Sequence, residues 1–117
     1  MSSVTSLIIL AMDSGKNASI MDISKYVREN GEDQAINLRR VISMVRYHMN
    51  ELMDLGIAEK ETRGKWVKYY LSGNVEILEG KMVSGKNGDI EHSDSVGRIM
   101  RMTTEDGDAI IRLLDMM

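Results

Sequence analysis

The sequence predicts an α+β domain, mainly α, in which three helices precede a two- to three-stranded antiparallel unit and a helical C-terminal extension follows. Three observations carry this. Residues 36–55 place Leu38, Val41, Ile42, Val45, Met49, Leu52 and Met53 at the spacing that stripes one side of a 3.6-period helix. Gly56 then stands where a left-handed cap residue ends a helix, and the pattern changes to period two around Arg63, Gly64 and Lys65. Near the C-terminus Ala109, Ile110, Leu113, Leu114 and Met117 again fall at helical spacing.

Taken in order, Val4, Leu7, Ile8, Leu10, Ala11 and Met12 give a first helix with an apolar arc wide enough to be mostly buried. Residues 14–17 (Ser-Gly-Lys-Asn) stop it, and Ala18, Ser19 and Ile20 have the character of a short strand. Ile23, Tyr26 and Val27 mark a second helix over residues 21–30, with Ser19 or Asp22 as its cap and Gly31 at its end. The third helix starts near Asn37 or, after a kink, near Ser43. Its other side carries Arg39, Ser43, Arg46 and Asn50, four, three and four residues apart, as a polar and partly cationic ridge. Val75, Ile77, Leu78, Met82 and Val83 suit either a helix or an extended segment, and the polar residues 84–95 read as a loop. Thr103 or Thr104, followed by Glu105 and Asp106, caps the expected last helix. The division expected is 1–72 for the first domain and 73–117 for the extension.

With 117 residues the chain is long enough for one real core. It has no cysteine, which excludes disulfides, thiolate metal sites and a cysteine nucleophile. The apolar run at residues 7–12 is too short to span a bilayer and residues 1–6 carry no positive charge, so no membrane partner and a cytoplasmic location are expected. The net charge of −3 is the wrong sign for a polyanion binder taken whole, but it is unevenly spread. Residues 36–71 hold seven basic and four acidic residues, a local +3, and the remainder carries −6.

Val45-Arg46-Tyr47-His48-Met49, Glu51-Leu52, Leu55-Gly56-Ile57 and Arg63-Gly64-Lys65 followed by Val67, Tyr69, Tyr70 and Leu71 resemble the second half of a winged helix-turn-helix domain of the ArsR type, and of the related MarR-type regulators. Met49 stands where that family has leucine, and Tyr69-Tyr70-Leu71 lacks an intervening residue before the leucine. The resemblance implies a transcriptional regulator, a repressor by promoter occlusion, that binds double-stranded DNA as a homodimer. Arg39, Arg40, Ser43, Arg46, Tyr47 and Asn50 would then lie on the recognition helix, where arginine can donate two bonds to guanine and asparagine can pair with adenine. Arg63, Lys65 and Lys68 would form the wing and meet phosphate or the minor groove. Ile110, Leu113, Leu114 and Met117 would form the dimer seam on the terminal helix.

Other chemistry finds little purchase. His48 and His92 are isolated, so no metal is expected, and the cysteine-bearing motif of metal-sensing relatives is missing. Residues 80–87 approach a phosphate-binding G-x-x-x-x-G-K-[ST] loop, but Asn87 replaces the required hydroxyl. No nucleophile has a base in reach of sequence reasoning, so neither enzymatic activity nor a cofactor is expected. Trp66 is expected to pack against the helix, one of Tyr69 and Tyr70 to enter the core, and the eleven methionines to fill it in the absence of phenylalanine. The alternative reading is a winged helix that serves protein–protein assembly without DNA, which the net acidity favours. The operator, the regulated genes and any small-molecule effector are not encoded in these patterns.

Overall fold

The computed structural model describes residues 3–15, 18–80 and 97–113. Three helices come first: α1 (Ser3–Gly15), α2 (Ile20–Asn30) and α3 (Leu38–Asp54). In α1 every residue from Ser6 to Met12 is buried, so the helix runs through the middle of the core rather than along its surface. A capping box starts α2: the Ser19 hydroxyl accepts from the Asp22 N–H at 3.1 Å and the Asp22 carboxylate accepts from the Ser19 N–H at 3.4 Å. For α3 the open question of its start is answered at Asn37, whose side-chain oxygen accepts from the Arg39 N–H at 2.7 Å. No kink is needed at Ser43.

The end of α3 is set by Gly56. At φ 79° it occupies the left-handed region, which lets the Ile57 N–H reach back to the Leu52 carbonyl (2.9 Å) and the Gly56 N–H to that of Met53 (3.1 Å). This double closure satisfies the last carbonyls of the helix. It also aims the chain into β1 (Ala58–Arg63), which pairs antiparallel with β2 (Trp66–Leu71) through a two-residue connection, Gly64-Lys65. Ala18 joins β2 at one point, exchanging backbone bonds with Tyr69 at 3.0 and 2.7 Å. Tyr69 is buried and Tyr70 half-buried, the division expected from alternation.

A second antiparallel sheet has the order β3-β4-β5, formed by β3 (Val75–Gly80), β4 (Gly97–Thr104) and β5 (Gly107–Leu113). The segment at residue 75, open between helix and extended chain, is therefore a strand. Val75, Ile77, Met100, Met102, Ile111 and Leu113 share one face by register, and all join the cluster of buried residues that includes α1 and α3. Helix and strand are present in roughly equal amounts, so the chain is less helical than its sequence predicts.

The expected terminal helix is absent: residues 107–113 are strand. Ile110 and Leu113, three apart, would share one face of a helix, but on a strand they point to opposite faces. Leu113 is 3% exposed and belongs to the chain's own core, whereas Ile110 is 59% exposed. The physical reason lies in the turn. Thr104 does not cap a helix; its hydroxyl accepts from the Asp106 N–H (3.2 Å) and donates to the Gly107 carbonyl (2.7 Å), closing a two-residue hairpin loop at Glu105-Asp106. Glycine inside a helix is unfavourable by about 1 kcal/mol, while Gly107 adopts φ 124° here, open mainly to glycine. Leu114 and Met117 lie outside the described residues, as do residues 84–95 and most of the phosphate-loop-like stretch.

Candidate nucleic-acid interface

Four residues of α3 fix the orientation of the helix. Val41, Val45, Met49 and Leu52 are all buried, so rotation about the axis would expose this apolar row to water. The opposite row is consequently presented outward: Arg39, Arg40, Ser43, Arg46, Tyr47 and Asn50 are all exposed, Tyr47 by 63%. All six helix residues singled out in the sequence therefore lie on the solvent side of one rigid element.

Their charge is one-sided. Between Leu38 and Asn50 the helix carries three arginines and no carboxylate; Glu51 and Asp54 sit only in its last turn. Among the described residues, no carboxylate pairs with Arg39, Arg40 or Arg46. Three exposed guanidinium groups on one helix face have the donor geometry that suits anionic oxygens, such as those of a phosphate, or base edges with acceptor atoms. His48, beside this row, is half-buried, with Nδ1 at 3.5 Å from the Glu51 carboxylate and its ring edge-on to Tyr47 at a centroid distance of 5.2 Å.

The β1–β2 hairpin offers a second cationic group. Gly64 at φ 62° makes the tight turn, and nothing lies within 4 Å of where its Cβ would be, so the tip is open. Arg63 and Lys65 flank it, both exposed; Lys68 lies further down the strand, half-buried. By register Glu61, Arg63, Trp66 and Lys68 share the outward face, and they line one shallow groove. Arg63 is held there by the Glu61 carboxylate at 3.0 Å. An exposed pair of this kind contributes about 0–1 kcal/mol, so a phosphate can displace it at little cost.

Trp66 departs from expectation. It does not pack against the helix but is 69% exposed. The strand period accounts for this: with Tyr69 inward against Ala18, Val67 and Leu71 share its face and Trp66, Lys68 and Tyr70 must lie on the other. Partial burial, then the Glu59 carboxylate bonded to its hydroxyl and repelling the phenolate together with Glu61, hold Tyr70 above the usual tyrosine range.

The described residues contain no group of three or more His, Asp or Glu side chains that could hold a metal ion, and no helix long and apolar enough to cross a membrane. Comparison with known proteins leaves the geometry to speak for itself: no family model, curated protein or solved structure matches the chain.

Proposed function

We propose that the chain is a winged helix-turn-helix protein of ArsR- or MarR-like character that binds double-stranded DNA as a homodimeric, cytoplasmic transcriptional regulator and represses by occluding a promoter. In this reading α2 and α3 are the helix-turn-helix, α3 enters the major groove and the β1–β2 hairpin is the wing. The observation that carries it is the acid-free, outward-facing arginine row of α3. Arg46 and Asn50, one helical turn apart, suit base-edge contacts; Arg39 and Arg40 in the first turn and Arg63, Lys65 and Lys68 on the wing suit phosphates. The element order and the pairing of Ala18 with Tyr69, which ties the segment before α2 to the second wing strand, accord with that fold.

A second reading, a winged helix for protein–protein contact without DNA, draws on Trp66: an exposed tryptophan is more common at a protein interface than on a phosphate-facing surface. Gel-shift titrations of random duplexes and of duplexes from the genomic neighbourhood separate the two. The DNA reading expects a shift that weakens steeply with salt and is tighter on at least one native sequence; absence of salt-sensitive binding to every duplex would leave the protein-contact reading standing.

A further inference from the structure

The edge of the second sheet is built in a way the DNA reading does not use. β5 is an edge strand: among the described residues only β4 pairs with it. Sheet edges that must stay single are usually short, kinked by a bulge, or guarded by charged side chains, lysine above all, or by proline. β5 runs seven residues in unbroken register with β4, has neither lysine nor proline, and is exposed over Gly107–Ile110 and at Arg112; its two charges, Asp108 and Arg112, are of opposite sign and so do not repel a second copy in every register.

The geometry points to β5 as the seam of a homodimer, pairing antiparallel with β5 of a second copy to join the two three-stranded sheets into one of six strands. The register follows from symmetry. Directly opposed residues lie on the same sheet face, so a two-fold axis normal to the sheet must pass through a residue, and only an axis at Ile110 pairs the whole strand. That register sets Asp108 opposite Arg112 of the other copy, twice by symmetry, on either side of an Ile110–Ile110 contact. On the other face it sets Ala109 against Ile111 and Gly107 against Leu113, small opposite large. Opposite charges facing each other across a strand pair are favourable and like charges are not.

The other edge does not share this property. β3 contains no cation, and its Glu76 is already paired with Arg101 of β4, so self-pairing of that strand adds no opposite-charge pair. Charge complementarity thus selects a second copy of this chain, and selects β5 over β3. The seam replaces the terminal-helix seam the sequence predicts while keeping one of its residues, Ile110. It does not depend on whether the partner of α3 is DNA.

Sedimentation equilibrium of the full chain without DNA tests it. The wild type is expected to be a dimer. Asp108→Arg and Arg112→Asp, each at an exposed position, should raise the dimer dissociation constant about tenfold or more, because each sets two like-charged pairs across the axis. The double variant, which exchanges the charges, should restore the dimer. Circular dichroism confirms that each variant is folded. A monomeric wild type, single reversals that leave the dimer intact, or a double variant that stays monomeric would each overturn the register.

Discussion

The two hairpins of this chain are alike in construction and opposite in character. Each is antiparallel, turns through two residues, and depends on a glycine with positive φ, Gly64 in one and Gly107 in the other. The tip of β1–β2 carries Arg63 and Lys65, and that of β4–β5 carries Glu105 and Asp106. A polyanion approaching the first would be attracted and one approaching the second repelled. In the proposed reading this contrast is how an acidic chain would address DNA: net charge describes the body, whereas one helix face and one hairpin tip would decide binding. The second hairpin, which would repel a polyanion, would then be left with its strand edge as the surface for the proposed dimer.

The largest expected effects fall on α3. Arg46→Ala or Asn50→Ala should each cost about 1–3 kcal/mol on the preferred sequence and much less on random DNA, measured by fluorescence anisotropy. Equal losses on both would remove that residue from base readout. The hairpins themselves supply the next comparison. Arg63→Ala with Lys65→Ala should weaken binding about tenfold on all sequences alike and lower the log–log salt slope by about 2, whereas Glu105→Ala with Asp106→Ala should leave affinity within about twofold. Equal effects from the two tips would break the contrast.

How far these features were legible beforehand differs between the two halves. For α1 to α3 the apolar period, the caps and Gly56 agree, and alternation from Tyr69 onward suffices to orient β2, including the outward face of Trp66. The expectation that Trp66 packs against the helix is at odds with this register. In the second half two patterns overlap. Ala109, Ile110 and Leu113 fit a helix by spacing, and Thr103-Thr104-Glu105 imitates a cap, but Asp106-Gly107 is a strong hairpin signal between strand-forming residues. Local turn chemistry decided against periodicity there: the Thr104 hydroxyl and the positive φ of Gly107 close the Glu105-Asp106 loop, and pairing with β4 buries Leu113 and half-buries Ile111. The charge match of Asp108 with Arg112 becomes visible only once the strand is known.

Smaller effects sharpen the comparison of the turns. Gly107→Ala should destabilise more than Gly64→Ala, by roughly 1–3 against about 1 kcal/mol, because φ 62° is a left-handed conformation that alanine can adopt with some strain and φ 124° is not. Space is not the cause, since nothing lies within 4 Å of either Cβ position. Thermal melts of the two variants read this directly, and the reverse order would contradict the assigned turns. Least of all is the effect of Tyr70. Its folded-state value is raised, so ionising it costs more in the folded than in the unfolded chain. Its contribution to stability is intact below the ordinary tyrosine value near pH 10 and is lost as pH rises through the folded value. Tyr70→Phe should flatten that alkaline limb in melts taken against pH.

In the proposed reading DNA meets the α3 arginine row and the cationic hairpin tip, with the acidic hairpin turned to other use. Amide chemical-shift mapping by NMR, with a short duplex titrated into the labelled protein, examines it most directly. The shifts are expected to concentrate between Arg39 and Asn50 and at Gly64 and Lys65, with Glu105 to Gly107 unmoved. Shifts centred on the second sheet, or none at any position at low salt, would contradict it.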